Sequence, residues 1–444
     1  MVKNLFTVVT LAFVIASFSL LPIHAQTSSN YELAGGWWFN GKEFVRQKLY
    51  VVNGVFQKKR PAHVDEVIKL DDLYIVPPFG DAHSHDFAYP NTIADVAAKN
   101  LHDGIFYGLS LGNSVKDKRA VVDFVNKPTS IDVAYADAGL TATLGHPILS
   151  AEVGANKIPW DALGPNMPRL LKSHTAEGDV YFVIDNRDDL QKKWAQIVAS
   201  KPDIIKIYLM DTEHFEELRR STSTIDDKGL DPALIPAIVD RAHRDGLRVA
   251  AHVETAADFR VAVNAGVDIV AHLPGLAPKP DEDALRYELT DADAKLAKSK
   301  GTAVVATAWL AEWLAAPKPW FSEAEKKAGP AQLERARQIQ RHSLQTLMRH
   351  GVPIAIGPDL FENAVKEAFY LEGLGVFDKR TLLVMWAQTT PQLIFPKRKI
   401  AHLSPGYEAS LLALSCNPLN DFSCTRKITI RMKQGQLLST GDHP

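Results

Sequence analysis

Two histidines one residue apart carry the first chemical signal: Asp81-Ala-His83-Ser-His85 follows the apolar run Leu73–Val76 and the pair Pro77-Pro78. On a strand, residues two apart point to the same side, so both imidazoles can reach one ion. A polar strand edge would give the same pattern. His252 and His272 close two further apolar runs, Val249-Ala-Ala-His252 and Ile269-Val-Ala-His272, with a helix-length segment ending at Gly266 between them. Singly, each reads as a core histidine. At equivalent places in successive units they point to a shared site, because buried imidazoles need partners. Asp359 follows Ile354-Ala-Ile-Gly357-Pro358 in the same way, as a ligand, a helix N-cap or both. Lys206 lies within Ile204-Ile-Lys-Ile-Tyr-Leu209, a run otherwise apolar on both sides. A lysine there is costly unless paired or chemically altered. Either it meets an interior Asp or Glu, or its neutral amine takes up CO2 as a carbamate, an anion able to bridge two cations. Tyr208 should face the same side as Lys206, as a substrate contact or a structural tyrosine.

The elements that must position these residues fall into two kinds. From about 78 to 397, short apolar runs alternate with amphipathic helical patterns. The expected strands are Ile204–Leu209, Arg248–Val253, Asp268–Leu273, Ala303–Ala308 and Pro353–Gly357. Helices are expected at Asp189–Ser200, at Pro232–Arg244 with Gly246 as its stop, and at Ala256–Asn264. Repeated β–α units imply a parallel sheet, closed as a barrel or open and doubly wound. Residues 26–77 and 398–444 instead read as short strands: Gly35–Phe39, Lys48–Val52, Val67–Leu70, Ser410–Ser415 and Ile428–Met432. Asn53-Gly54 between apolar stretches predicts a hairpin. Gly145–Gly178 and Trp309–Pro330, the latter with Trp309, Trp313, Trp320 and Phe321, read as long loops. They shape a substrate pocket or simply pack aromatic residues on the surface.

Composition excludes several classes. With 444 residues, a formal charge of −2 and 46% hydrophobic residues, the chain is neither disordered nor a multi-span membrane protein. It offers no electrostatic footprint for nucleic acid. Neither phosphate-binding glycine pattern follows any strand. Lys3, the apolar run Leu5–Leu21 and Pro22-Ile-His-Ala25 predict a cleaved export signal over residues 1–25, with an uncleaved anchor as the alternative. The mature chain is therefore expected in the periplasm or the medium, without stable membrane association. Two cysteines, Cys416 and Cys424, could pair across a short turn in an oxidising compartment or stay as free thiols.

The ordered set His83-x-His85, Lys206, His252, His272, Asp359 resembles the metal-ligand signature of the amidohydrolase superfamily. The flanking text agrees: DAHSH, IIKIYL, AAHVETAADFRVAVNAGVDIVAHL and GVPIAIGPD. LSPGYEASLLALSCNPLND resembles the family's return from barrel to β-sandwich. Ala409-Ser410 stands where the family often has Ala-Asp, and Pro358 where Thr or Ser is usual; neither touches a ligand. The resemblance implies an α/β chain: a (β/α)8 TIM barrel over 78–397, with a small β-sandwich formed by 26–77 and 398–444. It further implies that His83, His85 and Asp359 hold one divalent ion while His252 and His272 hold the other. Carboxylated Lys206 and a hydroxide would bridge them, with zinc favoured over manganese or iron.

Within the family the text is most similar to prolidase-type and carboxypeptidase-type members. That similarity implies hydrolysis of amide bonds in a dipeptide or N-acyl amino acid, with the bridging hydroxide as nucleophile and Asp359 as general base and then acid. A lactone, phosphotriester or cyclic-amide substrate on the same scaffold is the first rival. A barrel that binds a small molecule without turning it over is the second. A homo-oligomer is left open.

Overall fold

The computed structural model describes residues 29–439 except 223, 279–281, 319–320 and 361. The expected export signal and Trp320 lie outside the described residues.

Two parallel sheets form the centre. One has seven strands in the order Tyr181–Val183, Gly139–Thr141, Ile204–Tyr208, Arg248–His252, Ile269–Ala271, Ala303–Val305, Ile354–Ala355. The other has three, Asp132–Tyr135, Ile105–Ser110 and Phe79–Ser84. Each expected strand of the central region is present, cut by one to three residues at its ends. Backbone contacts join the two sheets on both sides. The Ala82 N–H donates to the Ile356 carbonyl at 2.8 Å and the Asp359 N–H to the His83 carbonyl at 2.8 Å. Opposite, the Asp203 N–H donates to the Tyr135 carbonyl at 2.8 Å, just before Leu140 pairs with Ile207. The strands are apolar on both faces and lie in one continuous core with the helices around them, as buried parallel strands must.

The crossover helices follow local sequence rules. Arg187–Ala199 is N-capped by Asn186. Thr255 and Asp258 form a capping box at the start of Ala256–Ala265, and Gly266 ends that helix with φ 87°. Pro232–Leu234 forms a 3-10 turn that leads into the helix Ile235–Arg244.

Both expected long loops are largely helical. Gly145–Gly178 contains helices Ile148–Ala155 and Leu163–Leu170, which close a small core of Val153, Ile158 and Leu170. Buried Glu152 ties this insertion down, accepting from the Tyr181 hydroxyl at 2.7 Å and the Ala176 N–H at 2.9 Å. Trp309–Pro330 contains the helix Leu310–Ala315 and the start of Glu323–Arg349, which runs through Pro330. Gly329-Pro330 reads as punctuation, but burial of Ala336, Ile339, Leu344 and Leu347 on one helical face overrides it.

The chain ends meet in a second, sheet-rich region. Strands Tyr74–Val76, Trp37–Phe39 and Phe44–Arg46 share a six-stranded sheet with Leu411–Leu414, Ile428–Lys433 and Gln436–Leu437. A four-stranded sheet lies beside it, and the two bury Trp38, Val51, Phe56, Leu411 and Met432 in one cluster. The Asn53-Gly54 turn joins Leu49–Val52 to Val55–Gln57 as expected. The expected strand Gly35–Phe39 begins only at Trp37, because both glycines take left-handed φ, 83° and 80°, and break it from Tyr31–Ala34. Cys416 and Cys424 are bonded, with Cα atoms 5.4 Å apart.

Candidate metal centre

The parallel strands all present their C-terminal ends to one rim, and the six singled-out residues come together there. His83 lies in Phe79–Ser84 and His85 just beyond it; Lys206 lies in Ile204–Tyr208, and His252 ends the neighbouring strand. His272 and Asp359 each sit beyond a strand end in left-handed backbone, φ 77° and 79°. That conformation costs a non-glycine residue on the order of 1 kcal/mol and is held by its surroundings. Gly357 permits a close approach: a Cβ there would lie 2.4 Å from the His83 nitrogen. The helix N-cap reading of Asp359 does not hold; Asn363 caps the following helix.

The Asp359 carboxylate is the hub. Its Oδ1 lies 3.1 Å from His83 Nε2 and 3.0 Å from His85 Nε2, and its Oδ2 lies 4.0 Å from His272 Nδ1. Ligand atoms of His83, His85 and Asp359 all fall within 4.8 Å of one another. Ring centroids are 4.8 Å apart for His83 and His272, and 4.5 Å for His252 and His272. Although His83 Nε2 is close to Asp359, neither His83 ring nitrogen makes a hydrogen bond of acceptable angle among the described residues.

Electrostatics separates this cluster from an ordinary ion-pair network. Burial holds the imidazoles of His83, His252 and His272 well below the usual histidine range, which leaves them neutral with lone pairs available. Burial pushes the Lys206 amine down to about 7, against the opposing pull of Asp359. Burial alone would raise the Asp359 carboxyl, but His83, His85 and His272 outweigh it and keep it well below the usual carboxylate range. The alternative of an ion pair for Lys206 does not hold: Asp359 acts on it from a distance, no carboxylate forms a salt bridge with it among the described residues, and its Nζ lies 5.3 Å from the centroid of the Tyr208 ring. Tyr208 therefore does face the Lys206 side, and it is buried.

No family model matches the chain, and no curated protein matches it. Solved structures do. The ochratoxinase of A. niger superposes with a TM-score of 0.68 at 19% identity, covering 92% of this chain and 95% of that one. A structure described as an amidohydrolase gives 0.69 at 21%, covering 94% and 100%. A Xaa-Pro dipeptidase with methionine bound in its active site gives 0.69 at 17%, covering 93% and 100%. The chain has the amidohydrolase fold.

Around the six residues, this amidohydrolase-fold chain carries a second layer that sequence reasoning missed. His85 Nδ1 lies 2.7 Å from the Gly112 carbonyl, an acceptor only, so Nδ1 carries a proton and Nε2 is the atom turned to the site, 3.0 Å from Asp359 Oδ1. His252 Nε2 lies 3.0 Å from Glu254 Oε1, so its Nδ1 is the free atom. His272 Nδ1 meets the Thr307 hydroxyl at 2.9 Å. His146 stacks on His252 with centroids 4.5 Å apart and meets the Tyr208 ring edge-on at 5.4 Å. Glu254 was findable, two residues past a strand-end histidine. His146 lies in a Pro- and Gly-rich stretch with no periodicity to mark it, and Gly112 and Thr307 contribute through backbone position and adjacency alone.

Proposed function

We propose that the chain is an exported metal-dependent hydrolase of amide bonds, with dipeptides or N-acyl amino acids as substrates. Its parallel strands are read as a closed (β/α)8 barrel, with the sheets of both chain ends as a small β-sandwich beside it. His83, His85 and Asp359 would hold one divalent cation, and His252 and His272 the second. Lys206, carboxylated by CO2, would stand between them, and an imidazole-rich set favours zinc.

One observation carries the reading: three buried imidazoles, a buried amine and the partly buried His85 gather round the Asp359 carboxylate, and among the described residues only His252 meets a second one, Glu254. The donor set fits a pair of cations. Among the described residues His83 has no hydrogen-bond partner for either nitrogen, while His85 turns Nε2 and His252 turns Nδ1 to the centre. The neutral Lys206 amine is in the form that reacts with CO2, supplying the missing negative charge.

When bound, such ions supply an acidified water and a Lewis acid for the scissile carbonyl. The chain's own residues do the rest. Asp359, held ionised, accepts the water's proton at a carboxylate oxygen and returns it to the leaving nitrogen. Gly112, Glu254 and Thr307 fix which imidazole nitrogen faces the centre. Tyr208 and His146, on the Lys206–His252 side, would orient the substrate. Residues 1 to about 25 are read as a cleaved export signal, and the Cys416–Cys424 bond suits an oxidising periplasm or medium.

Metal content tests the centre. Plasma mass spectrometry of the mature protein, supplied with zinc and bicarbonate, should find about two ions per chain. The same sample should cleave members of a dipeptide and N-acyl amino acid panel. A metal-free chain under those conditions would overturn the ligand assignment.

A further inference from the structure

A groove of about 420 Å³ lies on the outer helical layer, away from the strand-end histidines. One wall is Glu312 and the long helix Glu323–Arg349, and the other is the helix Ala364–Leu374. Arg426, two residues past the Cys416–Cys424 bond, also lines it.

The groove's charge is lopsided. Arg337, Arg341, Lys366 and Arg426 line it against one carboxylate, Glu312. Glu312 is already shared, 2.9 Å from Arg337 and 3.2 Å from Lys366. Arg341 reaches 3.3 Å to Glu334, which is not part of the lining. Arg426 makes no salt bridge among the described residues; its guanidinium sits 3.9 Å from the centroid of the Phe369 ring. A guanidinium held on an aromatic ring keeps its N–H edge free, the geometry that accepts a planar carboxylate or a phosphate.

The floor is apolar and open. Gly373 lies within the helix, and a Cβ there would meet nothing within 4 Å. Glycine is the poorer helix former, so this position keeps space at some cost in helix propensity. The wall behind is fixed: the Tyr370 hydroxyl donates to Gln340 Oε1 at 2.8 Å, and Gln340 Nε2 donates to the Ala308 carbonyl at 2.9 Å. Preformed walls, an aromatic floor and unbalanced positive charge are what a small-molecule anion site requires.

We infer that this groove binds a small organic anion, its carboxylate or phosphate held by Arg426, Arg341 and Lys366 and its apolar body laid over Gly373 beside Leu374. The site is separate from the metal centre and does not depend on what that centre does.

Calorimetric titration of the full chain with naphthalene-1-acetate tests it. Saturable binding of one equivalent is expected with a dissociation constant of about 1 mM or tighter, the scale for a probe of that size. Binding should weaken with added salt. Arg426→Glu should weaken it at least about tenfold, as should the neutral amide of the probe. Gly373→Leu, which fills the floor and favours the helix, should abolish it, while Asp359→Asn should bind as wild type does. Thermal melting of each variant separates lost binding from lost fold. The inference fails if wild type shows no saturable binding, or if binding survives both groove substitutions. It also fails if the amide binds equally well, or if Asp359→Asn removes the site.

Discussion

Two buried clusters of charged and basic side chains sit in this molecule, and they are built on opposite plans. At the seam between the parallel strands and the sheet-rich region, Lys433 donates to Asp132 Oδ1 at 2.6 Å and to the carbonyls of Lys127 and Ser130, both at 2.6 Å. Arg398 bridges Asp132 at 2.8 Å and Glu408 at 2.6 Å, and Glu408 also accepts from Tyr107 and Ser410. Two cations meet two carboxylates, and the remaining donors find oxygen. At the strand ends, by contrast, four imidazoles and an amine gather round Asp359, with Glu254 reaching only His252, and among the described residues both His83 nitrogens lack a hydrogen bond. Burying bases with too few anions is expensive, and folding alone gives no reason to gather them in one place. The seam is complete as it stands; the strand-end cluster is complete only with something added.

If that contrast is right, the two clusters answer substitution in opposite currencies. The largest expected effect is on rate. Asp359→Asn keeps the size of the hub and removes its proton-accepting charge, and should lower kcat by roughly a hundredfold or more. Steady-state kinetics with metal content measured on the same sample checks it. Turnover close to wild type with metal still bound would strip Asp359 of the proton-transfer role.

The seam should show the reverse. Asp132→Ala leaves Lys433 buried, at 0% exposure, and takes one of the two carboxylates from Arg398. Breaking a buried pair by removing one partner costs about 3–5 kcal/mol. Urea unfolding should therefore show a much earlier midpoint, while kcat per folded molecule stays near wild type. A loss under about 1 kcal/mol would mean that the seam is wetter or more adaptable than its contacts imply.

Much of this was legible in the sequence, for reasons tied to range. His83 and His85 are two apart on one strand, and His252 and His272 end strands one crossover apart. Such spacings are local, so periodicity and the helix stop at Gly266 suffice to place them on one rim. Asn53-Gly54 announced its hairpin because the turn type demands those residues. What failed was set by tertiary packing. The helix through Gly329-Pro330 survives because a distant surface buries Ile339, Leu344 and Leu347, and no local signal reports that. The helices at Ile148–Ala155 and Leu163–Leu170 depend on Glu152 finding Tyr181 and on a three-residue core. His146 reaches His252 across more than a hundred residues, and Gly112 and Thr307 serve through a carbonyl and a hydroxyl that any loop could carry. Whether Lys206 had a counterion was likewise a question about neighbours, and only the structure answered it.

The last expected effect is read in pH and falls on a buried carboxyl that belongs to neither cluster. Glu367 is fully buried behind the strand ends, accepting from the Ala308 N–H at 2.9 Å and the Trp309 N–H at 2.8 Å, next to Thr307. Burial pushes its carboxyl from 4.5 up to about 8, so the folded state holds a proton that the unfolded chain releases near pH 4.5. A raised folded value means the native state binds more protons across that window. Stability should therefore fall as pH rises from about 4.5 to about 8 and level off above it. Glu367→Gln keeps an amide in place and cannot ionise, so its urea midpoint should lose that part of the slope, measured at pH 5 and pH 9. An unchanged slope would mean that Glu367 is ionised throughout, held by its two backbone donors as firmly as the carboxylates of the seam are held by Lys433 and Arg398.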